Sequence, residues 1–292
     1  MTAADPTSFD LIGQRAASAS VSVTEARVRF AQYAVLLGVS NVRPPREGLV
    51  FKGGNALDFV WQPNRSTVDL DFSVDASNEL STPDADTIKT LLQRGATIAT
   101  NRLGILLAVH GVKPNPRGTE RDFVTFQVGV GYALLDEPRL RQRMTRGEPS
   151  PRVIRLDISL NEPICDAPKK QIDPELRLRV ATIEDIVADK LRALLQQPIR
   201  NRQRRQDLLD IAVIMSQQPG FDRRLVSRFL LEKAKARDVV VTRSAFHQDE
   251  VRRRARIGYD ELEITTRALF IDFDEALALL FALVAELDIP SL

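Results

Sequence analysis

The chain has 292 residues, of which 43% are hydrophobic and 27% charged, and its formal net charge is +2. That is the make-up of a folded protein of one large or two ordinary domains, and it excludes a disordered or fibrous chain. One cysteine, Cys165, and two histidines, His110 and His247, exclude an intramolecular disulfide and a zinc site of thiolates or imidazoles, leaving carboxylates as the ligands for any catalytic metal.

A pI near 8.8 is mildly basic and does not by itself indicate a nucleic-acid partner. Residues 1–20 lack the apolar core of a signal peptide, and Ala276–Leu287 is too short to span a bilayer. A cytoplasmic protein with no membrane partner is expected.

In chain order, residues 8–38 read as helical. Phe9, Leu11 and Ile12 begin one amphipathic piece, and Ser22 or Thr24 caps a second that carries Val28, Phe30, Ala31, Ala34 and Leu37. A loop follows at Asn41–Glu47, then a short strand at Leu49–Lys52 that runs into Gly53-Gly54. A helix is expected from Asn55 to about Val60 and a strand over Thr67–Val74. Asp84–Asn101 reads as a surface helix, and Gly104–Val112 and Asp122–Val130 as strands around a turn with Pro114, Pro116 and Gly118. A basic loop is expected over Glu137–Pro151, a strand over Val153–Leu160 and another loop over Glu162–Asp173. Beyond Thr182 the apolar period is helical, with candidates at 183–197, 205–217, 222–236, 246–256 and 274–287. The chain therefore reads as α+β over residues 1–170 and all-α over residues 171–292.

The strand at Thr67–Val74 alternates strictly. Thr67, Asp69, Asp71 and Ser73 share one face; Val68, Leu70, Phe72 and Val74 share the other. Positions i and i+2 lie about 7 Å apart along a strand. Carboxylates so placed can share divalent ions about 4 Å apart. The preceding Lys52-Gly53-Gly54 lets backbone N–H groups approach a phosphate closely. Metal site and phosphate cradle together point to phosphoryl or nucleotidyl transfer.

Strand Val153–Leu160 repeats the pattern, with Arg155, Asp157 and Ser159 on its polar face. If it neighbours the first acidic strand, Asp157 joins Asp69 and Asp71; otherwise it belongs to a solvated face. Lys190 falls inside the apolar stripe of Ile183, Ile186, Val187, Leu191 and Leu194. A lysine there meets an anion, either a triphosphate or an aspartate cluster, or it snorkels to the edge. Asp207 and Asp210 open the helix that follows Arg200, Arg202, Arg204 and Arg205, where acids commonly just complement the helix dipole. Basic clusters at Arg139–Arg146 and at Arg252, Arg253, Arg254 and Arg256 read as solvated faces or as a track for an RNA backbone. Trp61 and His110 read as core residues.

Together these segments resemble the AbiEii/AbiGii family of nucleotidyltransferase-like toxins, within the polymerase-β-like superfamily. The resemblance rests on Gly53-Gly54-Asn55, Arg65-Ser66-Thr67 and Asp69-Leu70-Asp71, then Asp189-Lys190-Leu191-Arg192-Ala193-Leu194, then Arg204-Arg205-Gln206-Asp207-Leu208-Leu209-Asp210-Ile211. Asn55 stands where the family has Ser or Thr, and Gln206 where it often has Lys or Arg.

The resemblance implies a nucleotidyltransferase domain with a mixed sheet, followed by a helical domain that contributes Lys190 and Asp207. It implies Asp69, Asp71, Lys190 and Asp207 as catalytic residues. It implies Mg2+, or Mn2+ in its place, on Asp69, Asp71 and Asp157. Lys52, Gly53, Gly54, Asn55, Arg65 and Thr67 would bind the nucleoside triphosphate. The implied function is that of a toxin of a toxin–antitoxin or abortive-infection system, adding a nucleotide to RNA, the transfer RNA 3′ end first among acceptors, with a cognate antitoxin as a further partner. Two rival readings remain at this point: nucleotidylation of a protein side chain, and a non-catalytic nucleotide- or RNA-binding module of the same fold.

Overall fold

The computed structural model describes residues 5–61, 67–75, 77, 80, 83–115, 123–217, 220–266 and 269–292. It divides into two compact units. The first comprises Met1–Val60, Thr67–Asn161 and Pro168–Val180; the second comprises Trp61–Ser66, Glu162–Ala167 and Ala181–Leu292.

The first unit is built on a mixed sheet of seven strands: β1 (Leu49–Lys52), β2 (Asp69–Val74), β3 (Leu106–Asn115), β4 (Thr125–Ala133), β5 (Val153–Ser159), β6 (Lys169–Gln171) and β7 (Arg177–Val180). Their order is β3-β4-β5-β2-β1-β7-β6. β2 runs parallel to β5 and antiparallel to β1, which runs parallel to β7. The sheet thus continues past residue 170, to Val180: β6 lies in the expected loop Glu162–Asp173, and β7 in the part expected to be all-α. β6 has no apolar residue; β7 alternates, with Leu178 and Val180 buried, but its four residues are too few for the period to stand out.

The period-2 pattern of β2 and β5 sorts their residues onto two faces. Leu70, Phe72, Leu156 and Ile158 are fully buried. Phe51 of β1 lies opposite Phe72, their ring centroids 5.3 Å apart. Burying each such side chain stabilises the fold by about 1.5–3 kcal/mol. Helices Val23–Ser40 and Ala85–Leu103 cover this side: Val35, Val39, Leu92 and Ala96 meet Leu107 of β3 and Val130 of β4. The two helices touch through glycine. A Cβ on Gly38 would lie 2.8 Å from the backbone of Gly95, and one on Gly95 2.7 Å from the carbonyl oxygen of Gly38. Ser22 caps the first helix in a reciprocal box with Glu25.

Two smaller differences have local causes. Residues Pro138–Thr145, expected as part of a loop, form a helix with proline in its first turn, a position where the missing N–H is harmless. His110, on β3, accepts a hydrogen bond at Nε2 from the Ser150 N–H (3.2 Å), and burial lowers its pKa, so it is a packed neutral imidazole.

The second unit is helical, with its longest helices at Ile183–Leu195, Arg205–Gln217, Arg223–Lys235, Asp249–Arg256 and Phe273–Glu286. Trp61 belongs to it, and its indole N–H donates to the Ala181 carbonyl at 2.9 Å. Among the described residues no helix is long and apolar enough to cross a membrane.

Candidate active site

The polar face of the sheet brings three of the expected acids together. Asp71 lies directly opposite Asp157 on the neighbouring parallel strand, so the condition set for Asp157 is met. The same row continues to Gln127 and Lys113 on one side and to Lys52 on the other. Asp69 lies opposite Arg155.

Burial and mutual repulsion strain these acids. Burial raises the Asp69 pKa above the ordinary aspartate value, against the pull of Arg155. Burial and then the negative charge of Asp69 raise that of Asp157, opposed by a hydrogen bond from Gln127 and by Lys52 and Arg155. Asp69 Oδ1 is buried with no hydrogen-bond partner among the described residues. A lone buried carboxylate oxygen is expensive, and a cation or a proton is what satisfies it.

The acids fit a hard divalent ion in donor type and in this orphaned oxygen. They do not make a finished cage: among the described residues no three His, Cys, Asp or Glu side chains are gathered to hold a metal ion. Such an ion would need oxygens from a ligand or from water to complete its shell.

Gly53 follows β1 with a φ of +74° and starts the short helix Gly53–Ala56. A Cβ here would overlap the Asp71 carboxylate. The second glycine is buried. Asn55, expected to face phosphate, is fully buried instead. Its Nδ2 donates to the carbonyls of Thr67 (3.0 Å) and Asp69 (2.6 Å), and its Oδ1 accepts from Arg29 Nη1 (3.3 Å). With both amide hydrogens used, no donor remains for a triphosphate, and Asn55 acts as a tie between the glycine turn and the start of β2. Thr67 Oγ1 likewise turns inward, to the Asp69 carbonyl at 3.3 Å. Arg65 lies outside the described residues.

Two supporting residues escaped the sequence reading. Gln32 Nε2 donates to the Thr67 carbonyl (2.7 Å) and the Val68 carbonyl (3.2 Å). Arg29 is buried, ion-paired to Asp5 (2.7 Å) and Asp58 (2.9 Å), with its guanidinium 3.2 Å from the Phe59 ring centre. The available signal was two polar residues, Arg29 and Gln32, flanking the apolar pair Phe30-Ala31 within the buried part of that helix.

In the second unit, Lys190 is buried and meets an aspartate cluster. Its Nζ donates to Asp207 at 2.9 Å and to Asp210 at 2.6 Å, and Asp210 is wholly buried. On the same helix Arg192 pairs with Asp189 (2.6 Å), and Asp185 pairs with Lys233 (3.0 Å). Burial pushes the Cys165 thiol up to about 12, which removes it as a nucleophile near neutral pH. In the first basic cluster Arg143 pairs with Glu148; in the second, Arg253 and Arg254 pair with Glu250 and Arg256 with Asp260.

A mixed sheet with alternate acids on its open face, beside a glycine turn, is the scaffold of a nucleotidyltransferase. Residues 36–279 match the family described as nucleotidyl transferase AbiEii toxins of type IV toxin–antitoxin systems, and the chain belongs to that family. Among solved structures it is similar to MenT4, a nucleotidyltransferase toxin from Mycobacterium tuberculosis, with 20% identity, a TM-score of 0.56, and coverage of 96% of this chain and 90% of that one. It is also similar to JHP933 from Helicobacter pylori, with 17% identity, a TM-score of 0.52, and coverage of 90% and 91%. At these identities the likeness is one of fold. No curated protein matches the chain.

Proposed function

We propose that this protein is a toxin that transfers a nucleotide from a nucleoside triphosphate to RNA, with the 3′ hydroxyl of a transfer RNA as acceptor, so that translation stops. The single observation that carries this reading is the register of Asp69, Asp71 and Asp157 on two parallel strands, with a buried Asp69 oxygen left unpartnered.

Asp69 and Asp71, with Asp157 as a third, would hold Mg2+, or Mn2+ in its place. When bound, the ion supplies neutralisation of the triphosphate and alignment for in-line displacement. The remaining chemistry belongs to the chain. The backbone of Gly53 and Gly54 cradles the terminal phosphates, and Lys52, beside Asp71, adds positive charge. Asn55 and Thr67 hold the turn and the strand in register. The acceptor oxygen bonds to the α-phosphorus as the bond to the α–β bridging oxygen breaks. Pyrophosphate leaves with the electron pair, and the hydroxyl proton passes to water. Lys190 and Asp207 are assigned as catalytic residues, Asp207 orienting the Lys190 ammonium, a role that the 2.9 Å contact between them supports. Arg65 would add a donor to the triphosphate. Catalysis is then mostly positioning and electrostatics. A cognate antitoxin is the further partner that membership of a type IV toxin family supports.

The test is transfer of each of the four labelled ribonucleoside triphosphates to total transfer RNA, with magnesium, for wild type and Asp69→Ala. Labelled RNA from the wild type alone is expected. Label on protein instead would move the reading to side-chain nucleotidylation. No label from any donor, on either acceptor, would leave a non-catalytic nucleotide- or RNA-binding module.

A further inference from the structure

The open face of the sheet carries two cations whose position the reading above does not use. Arg155 is exposed on β5, opposite Asp69, and Lys113 is exposed on β3, in one row with Gln127, Asp157 and Asp71. Lys52, opposite Asp71, is half-buried. Among the described residues, neither Arg155 nor Lys113 makes a hydrogen bond or ion pair. Arg155 does not close onto Asp69 although the two are in register. Its planar fork of donors is therefore open to an oxyanion that arrives from outside.

Their side of the sheet matters more than their charge. The order β3-β4-β5-β2-β1 places the glycine turn, which follows β1, on one side of the acids. Arg155 lies beyond Asp69 and Asp71, on the strand of Asp157, and Lys113 lies two strands further. Strands are spaced by about 4.8 Å, so the two cations lie roughly 5 Å from Asp69 and roughly 10 Å from Asp157 respectively, measured across the sheet. In-line displacement needs the attacking oxygen and the departing pyrophosphate on opposite sides of the phosphorus. If the triphosphate tail lies at Gly53 and Gly54, the acceptor enters over β5, β4 and β3.

We propose that Arg155 and Lys113 form the acceptor track of the site, binding backbone phosphates of the RNA strand just behind its reacting 3′ hydroxyl. Gln127 lies between them and braces Asp157 by its hydrogen bond. The proposal rests on the transferase reading, because it takes RNA as acceptor and the glycine turn as donor cradle.

The test measures binding of total transfer RNA by fluorescence anisotropy over a range of salt, with no nucleoside triphosphate present, for wild type, Arg155→Ala, Arg155→Lys and Lys113→Ala. Arg155→Ala is expected to weaken binding roughly ten-fold and Lys113→Ala several-fold, each flattening the salt dependence by about one phosphate contact. Arg155→Lys recovers part of the loss, since it keeps the charge and loses the fork. In transfer assays the KM for RNA rises and that for the nucleoside triphosphate does not. Unchanged RNA affinity in both alanine variants overturns the proposal, as does a rise confined to the donor's KM. Because binding is read without turnover, the two readings separate. RNA binding that depends on Arg155 but leads to no transfer removes the transferase reading alone. Transfer indifferent to Arg155 removes the track alone. Both side chains are exposed, so the melting temperature of each variant should match wild type.

Discussion

The carboxylate of Asp71 occupies the space that a side chain on Gly53 would need. A residue with a positive φ and an acid from the next strand thus exclude anything but glycine at one point. Gly53→Ala has to accept a left-handed backbone, which costs about 1–2 kcal/mol for a residue with a Cβ, and also push Asp71 aside. We expect a loss of about 2 kcal/mol or more in urea unfolding, and loss of nucleotide transfer even where the variant stays folded. A Gly53→Ala protein with wild-type stability would mean that the turn is not held against Asp71.

Asp69 offers a test of whether the acids are poised for a cation. Its pKa is raised in the folded state, so between the unfolded and folded values the folded protein holds the extra proton. Stability from this group therefore falls as pH rises through that window, and at neutral pH the charged form is a burden. Asp69→Asn should melt higher than wild type near pH 7, with the gap closing as pH falls below the ordinary aspartate range. Added Mg2+ should raise the melting temperature of wild type and leave the variant unmoved. A variant that melts lower at pH 7 would contradict the strain described for this acid.

Lys190 is held by two carboxylates, and its removal strands them. Because Asp210 is fully buried, Lys190→Met should destabilise the protein by about 3–5 kcal/mol. Thermal unfolding of Lys190→Met, Asp210→Asn and the double variant measures the coupling, which should reach at least about 1 kcal/mol. Small, additive effects would show that the pair contributes little. Loss of activity in a lysine variant bears on catalysis only when it exceeds this loss of fold.

The replacement that looks most conservative should be among the costlier ones. Asn55→Ser restores the residue type expected after the two glycines. It removes one donor each from the Thr67 and Asp69 carbonyls, which keep Gln32 and Thr67 Oγ1, and one acceptor from Arg29, which keeps Asp5 and Asp58. A cost of about 1–3 kcal/mol is expected in chemical denaturation. A neutral or stabilising serine would show that water or a rearranged side chain takes over these contacts.

How far the sequence was legible depended on how local the signal was. β2, β5 and the helix at Arg205–Gln217 announce themselves through their own period, and the last has the expected bounds. That Asp157 joins Asp71 depends on the pairing of strands more than 80 residues apart, so the chain alone stated it only as a condition. Lys190 could be placed on a buried stripe, but which anion met it followed from packing. Asn55 was misjudged because a motif position carries the role of its usual occupant, while the amide's two donors suited two carbonyls close at hand. β6 is three polar residues and β7 only four, too short for the alternation of its buried Leu178 and Val180 to declare a strand.

The residues that fix the acids come from behind the sheet. Asn55, Gln32 and Arg29 are all buried; Asn55 and Gln32 grip the backbone of residues 67–69, and Arg29 holds the Asn55 amide. Arg155 and Lys113, on the exposed surface beside the acids, have no such duty to the fold. Framework and working surface are thereby uncoupled. Substitutions at these two outward positions can change the surface beside the acids while the arrangement of the acids stays as it was. A lineage of such proteins can therefore explore new targets without first having to rebuild the machinery that acts on them.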